Sequence, residues 1–224
     1  MNKVKLSKLQ QGVLEFFGQN DFSRKFYWTG GTALAYFWGH RKSVDLDFFS
    51  DDLFLDDEYL IFINNLKKAV KAEKVTTRLQ QNRRLYLVER GAETVKLELV
   101  FFPFRAVDKR QIVKEFGLKI DSVNDIMVNK ILSAYQRNEP KDVYDLYYYL
   151  TRRSKYDFFK LVKLVEKKFG VGIEPTLLLA KINRLADMLE SLQPMLVKQD
   201  KYLSKKVKDF FQEIFNFVVK KQIR

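Results

Sequence analysis

Thr29–Ser50 reads TGGTALAYFWGHRKSVDLDFFS. Its tail, VDLDFF (44–49), sets two aspartates at alternate positions in an apolar run, where a buried strand would be uniformly apolar. Side chains at i and i+2 of a strand leave one face about 6.5–7 Å apart. Asp45 and Asp47 are therefore expected to project together, with Val44, Leu46 and Phe48 turned to the core. At an effective dielectric of ~20, two carboxylates at that separation repel by roughly 2.5 kcal/mol, a large share of a domain's net stability. A divalent cation between them reverses the sign. Mg²⁺ (or Mn²⁺) suits such a pair, because it takes carboxylate oxygens and completes its shell with substrate phosphates.

Upstream, Gly30-Gly31 leads into TALAYFW (32–38), read as a short helix with Thr32 as its N-cap. Such a turn presents backbone N–H groups and a helix N-terminus to a phosphate. Anion site and cation site then lie in one segment, as metal-assisted phosphoryl or nucleotidyl transfer requires. Each feature also has a plainer reading. A lone Gly-Gly usually marks a turn, and alternate aspartates also occur on the solvated face of an edge strand.

Around this segment, KFYWT (25–29) reads as a strand and residues 3–18 and 56–72 as helices. KVTTRLQ (74–80), RRLYLVER (83–90) and TVKLELVFF (94–102) have the period of strands, with a hairpin turn near Arg90-Gly91, and QIVKEFGLKI (111–120) reads as a weaker strand. From Ser122 the period is helical, with helices expected near 123–137, 141–152, 156–169, 175–192 and 203–221. The expected organisation is α+β, a mixed sheet with flanking helices over 1–120 followed by a helical bundle over 121–224 packed on it.

The chain has 224 residues, no cysteine and one histidine. Thiolate metal sites and disulfides are excluded, which points to a reducing cytoplasm. No stretch is apolar enough for a membrane span. Net charge is +13, and from Thr151 onward 17 Lys/Arg face 8 Asp/Glu. A surplus of that size favours polyanions such as RNA, although lysine-rich helices are also an ordinary soluble surface.

The segment GGTALAYFWGHRKSVDLDFF resembles the first motif of the AbiEii/AbiGii toxin family, nucleotidyltransferase-fold proteins related to DNA polymerase beta. Gly30, Gly31, Thr32, Arg41, Ser43, Asp45 and Asp47 carry the match. A second match lies in NDIMVNKILSAYQRNEPKDVYDLYYYL (124–150), through Lys130, Arg137, Lys141, Asp142 and Asp145. The resemblance covers roughly 25–150. It implies a metal-dependent nucleotidyltransferase that moves an NMP from an NTP to an acceptor, with RNA or tRNA foremost. It also implies a toxin of a toxin–antitoxin or phage-abortive system, with an antitoxin as partner. The alternatives are a non-catalytic nucleotide- or RNA-binding module of the same fold and a small-molecule nucleotidyltransferase.

By this resemblance Asp45 and Asp47 hold metal, and Gly30, Gly31, Thr32, Arg41, Ser43 and Arg137 bind the nucleotide. Lys130, a surface lysine when read alone, becomes a triphosphate contact, and Asp142 an aid to the acceptor hydroxyl. Lys141 and Asp145 support them. Asp142 and Asp145 also fit the plain role of acids in a helix first turn. Glu98 shares a strand face with Lys96 and is either a third metal carboxylate or a solvated partner of that lysine.

Overall fold

The computed structural model describes residues 5–53, 56–80 and 82–222. The chain divides into two compact units, Met1–Ser122 and Val123–Arg224. The first is built on a seven-stranded mixed sheet: β1 (Phe26–Thr29), β2 (Leu46–Ser50), β3 (Lys74–Gln80), β4 (Arg83–Arg90), β5 (Glu93–Phe101), β6 (Gln111–Val113) and β7 (Leu118–Ile120), in the order β3-β4-β5-β2-β1-β7-β6. β2 runs parallel to β5 and antiparallel to β1, while β1 runs parallel to β7. Among the described residues, three α-helices belong to this unit: α1 (Lys8–Gln19), α2 (Gly30–Trp38) and α3 (Asp56–Ala69).

Strand alternation divides the sheet into an apolar and a polar face. Phe26, Trp28, Leu46, Phe48, Leu97 and Leu99 point one way and are buried. Phe17 of α1 stacks on Phe48 (ring centroids 3.8 Å apart, planes at 13°) and meets Phe62 of α3 edge-on at 5.1 Å. A ring 2 % exposed among such neighbours leaves a cavity when truncated. Phe17→Ala should therefore cost about 3–5 kcal/mol of unfolding free energy, read by urea denaturation.

Several boundaries differ from the sequence expectation. α1 starts at Lys8, behind a Ser7/Gln10 capping box; residues 3 and 4 of the expected helix lie outside the described ones. The second helix begins at Gly30, not Thr32, with Thr29 in the cap position. β2 begins at Leu46, so Asp45 precedes the strand, and Val44 is 57 % exposed instead of facing the core. Residues 111–120 form two short strands, because the Phe116 and Gly117 amides both turn back to the Val113 carbonyl.

The second unit contains α4 (Val123–Gln136), α5 (Pro140–Leu150), α6 (Asp157–Phe169), α7 (Pro175–Ala186) and α8 (Leu203–Gln222). The helix expected over 175–192 stops at Ala186 and tightens into a 3₁₀ segment, Asp187–Met195, which contains Pro194. A proline has no N–H to donate and cannot extend an α-helix through its own position.

Candidate active site

The polar face of the sheet gathers the first motif. Thr29, Asp47 and Glu98 lie opposite one another across β1, β2 and β5. Side chains directly opposite in adjacent strands share a face, so this row carries two carboxylates and a hydroxyl over a floor whose other side is core. The Thr29 hydroxyl donates to Asp121 Oδ2 at 2.9 Å, and the Asp121 amide bonds the Trp28 carbonyl. Thr29 thus leaves the α2 N-terminus without a side-chain cap.

The glycine pair has a packing reason. Gly30 has φ +76°, and a Cβ there would lie 2.0 Å from Asp47 Oδ2. A Cβ on Gly31 would lie 2.6 Å from an Arg41 guanidinium nitrogen. Bare backbone at both positions lets Asp47 and Arg41 close onto the first turn of α2. Thr32 is not the N-cap: its hydroxyl pairs with the Ser43 hydroxyl at 2.8 Å and donates to the Asp45 carbonyl. Gln10 of α1 donates to the Ser43 carbonyl at 2.9 Å. The loop carrying Asp45 is therefore fixed from α1 and from α2.

Of the three successive basic residues His40, Arg41 and Lys42, only Lys42 is exposed to solvent. Arg41 is 1 % exposed, and His40 is buried with its ring edge-on to Trp38 at 5.4 Å. The buried guanidinium lies against Gly31 and donates to the Lys42 carbonyl at 3.1 Å, which braces the turn.

Glu98 follows neither of its two sequence readings in full. It is paired with Lys96 (2.8 Å) and with Arg83 of β4 (3.2 Å), but it is buried, not solvated. Lys96 also reaches Asp45 Oδ2 at 3.3 Å. Burial pushes the Lys96 ammonium down, yet its hydrogen bond to Glu98 and the charges of Asp45, Glu98 and Asp47 outweigh that and raise it above the ordinary lysine range. Among the described residues, no three acidic or imidazole groups converge as a metal cage. Asp45 and Asp47 nonetheless fit a hard divalent ion. They are half-buried oxygen donors, Asp47 packed against the Gly30 backbone and Asp45 beside the Lys96 ammonium, and Mg²⁺ commonly takes one or two carboxylates plus substrate phosphates.

Sequence reasoning missed a neighbouring cluster on the same face. Arg110 makes a two-pronged pair with Asp51 (2.8 Å at its longer contact) and lies 3.4 Å from Asp121. Its guanidinium stacks over Tyr27 at 3.5 Å. Burial, then the Asp121 charge, holds the Tyr27 hydroxyl far above its ordinary value, so it stays protonated. The cluster joins residues up to 94 positions apart (Tyr27 to Asp121), and no local motif announces it.

The second motif assembles within the helical unit. Lys130 Nζ lies 2.6 Å from Asp142 Oδ1 and 3.0 Å from Asp145 Oδ2, and Arg137 Nε lies 2.8 Å from Asp142 Oδ2. Lys130, Asp142 and Asp145 are all buried. Burial pushes the Asp142 carboxyl up, but the Lys130 charge and the Arg137 hydrogen bond prevail and leave it below the usual range. Lys130 is thus not the surface lysine of its plain reading. Lys141 lies 4.0 Å from Glu139 Oε2.

A family model, nucleotidyl transferase AbiEii toxin of type IV toxin–antitoxin systems, matches residues 13–220. An uncharacterised Aquifex aeolicus protein, aq_aa25, is 27 % identical over 212 residues, covering 93 % of this chain and 98 % of its own. The crystal structure of JHP933 from Helicobacter pylori superposes with a TM-score of 0.61 at 17 % identity, covering 97 % of each chain. A second H. pylori structure has the same TM-score and identity over 95 % of this chain and 94 % of its own. At such identity the structural likeness establishes the fold.

Proposed function

We propose that this chain, which belongs to the AbiEii nucleotidyl transferase family, moves a nucleoside monophosphate from an NTP to an RNA acceptor in a divalent-metal-dependent reaction. The observation that carries this reading is the placement of Asp47. Its carboxylate packs against the bare backbone of Gly30 and lies level with Glu98, with Asp45 just ahead of the strand. Asp45 and Asp47 would hold the ion, which when bound would neutralise charge on the triphosphate and activate the attacking oxygen. The first turn of α2 would offer its N–H groups to phosphate oxygens, while Arg41, Ser43 and Thr32 keep that turn and the acid loop in register. In the helical unit, Lys130 and Arg137 hold Asp142 ionised and occupy both of its oxygens, so that buried carboxylate serves to position the two cations.

RNA is favoured as acceptor by the basic surplus of the second unit, where Lys160, Lys163 and Lys167 of α6 are all exposed. Its spaced phosphates would pair with such a helix face, and tRNA is the first candidate. An antitoxin partner is proposed from the family's type IV toxin–antitoxin description. Among the described residues no helix is long and apolar enough to cross a membrane.

The test is incubation of purified protein with total RNA, Mg²⁺ and each α-labelled NTP in turn. Label should enter a tRNA-sized band with one nucleotide preferred, and EDTA should abolish it. Label appearing in no RNA, while Mg²⁺-dependent nucleotide binding persists, would remove RNA as acceptor. Absence of nucleotide binding as well would remove the enzyme reading.

A further inference from the structure

The acid cluster already encloses a cation of the chain's own. Lys96 precedes Glu98 by two residues on β5 and projects from the same face. Its ammonium lies 2.8 Å from Glu98 Oε1 and 3.3 Å from Asp45 Oδ2, and Asp47 contributes to the field around it. Arg83, from the antiparallel neighbour β4, takes Glu98 Oε2 at 3.2 Å. Both oxygens of the third carboxylate thus face protein cations, in a buried position. In formal charges, Asp45, Asp47 and Glu98 supply three negatives, and Lys96 and Arg83 return two. In the nucleotide-free chain that remainder of one negative charge is met by one divalent ion, and a second would leave a large positive excess.

We propose that Lys96 is a built-in cation occupying the Glu98 side of the cluster in place of a second divalent ion. Asp45 and Asp47 then carry a single metal with the substrate phosphates, and Glu98 is the anchor of Lys96 instead of a metal ligand. This inference rests on the metal-dependent reading above. A tethered ammonium has one practical consequence. It supplies its charge at every metal concentration, so the Glu98 side is neutralised without a metal equilibrium.

The inference is tested by titrating the nucleotide-free full chain with Mn²⁺ alone and counting bound ions by electron paramagnetic resonance of the free ion. Wild type and Lys96→Arg should bind one Mn²⁺ per chain. Lys96→Met, which keeps the length of the side chain and removes its charge, should bind the first ion tighter by on the order of tenfold or more. It should also gain a second. Lys96→Gln is the second neutral variant should the methionine not fold, with circular dichroism as the check. Two ions in wild type, or unchanged binding in the neutral variants, would overturn the role of Lys96; the metal reading would still stand provided Asp47→Asn abolished Mn²⁺ binding. Binding absent from wild type and neutral variants alike, both alone and with a non-hydrolysable NTP analogue, or untouched by Asp47→Asn, would overturn the metal reading and this inference together.

Discussion

Asp47→Asn should lower nucleotide transfer by at least about 10³-fold while leaving the fold intact. The substitution keeps the shape of the side chain, so the close approach to Gly30 survives, as do the ladder bonds of β2 to β1 and β5. What disappears is one negative charge from a face that holds Asp45 and Glu98 as well. Relieving like-charge repulsion should leave the melting temperature unchanged or slightly raised, which separates this variant from a folding defect. If transfer runs at the wild-type rate in Asp47→Asn, Asp47 is not part of the reaction. A large fall in melting temperature would instead make it a structural residue of the β2–α2 packing.

How far the sequence led can be judged at Asp45 and Asp47. The alternation of VDLDFF correctly put Asp47 on a polar face with Leu46 and Phe48 behind it, because burial alternates wherever one face of a sheet is core. It failed at Val44, which is exposed, since the strand starts only at Leu46 and side chains ahead of it follow the loop. There the path is set by the Gln10 and Thr32 hydrogen bonds, which come from 33 and 13 residues away. The glycine pair was legible as a special turn. Its reason, room for Asp47 and Arg41, was not, because those contacts exist only after β2 docks beside β1.

Charge pairing was the least legible level. Lys96 and Glu98 share a strand face by spacing alone, but that Lys96 reaches Asp45 and Glu98 lies opposite Asp47 depends on the parallel pairing of β2 with β5. Likewise Arg83 reaches Glu98 only through the register of β4 on β5. The Arg110–Asp51–Asp121 cluster around Tyr27 depends on β7 lying against β1. Motifs mark residues close in sequence, whereas neutralisation on a sheet surface is set by strand order.

The same difference bears on the second motif, where Lys130→Met should destabilise the helical unit by about 3–5 kcal/mol. Asp142 and Asp145 are both fully buried, and Lys130 is bonded to each of them. Truncating the cation removes a positive partner that both buried carboxylates of α5 share, while the Arg137 pair with Asp142 is kept. Acid should expose the same network. The folded pKa of Asp142 lies below its unfolded value of about 3.9. Its contribution is therefore complete above that pH and is lost as pH falls through the folded value. In Lys130→Met, burial is less opposed and the carboxyl titrates higher, so acid unfolding should begin at higher pH than in wild type. Urea denaturation at pH 7 and at pH 4 measures both effects. A loss below about 1 kcal/mol at pH 7, typical of an exposed pair, would mean that this network is not holding the helices.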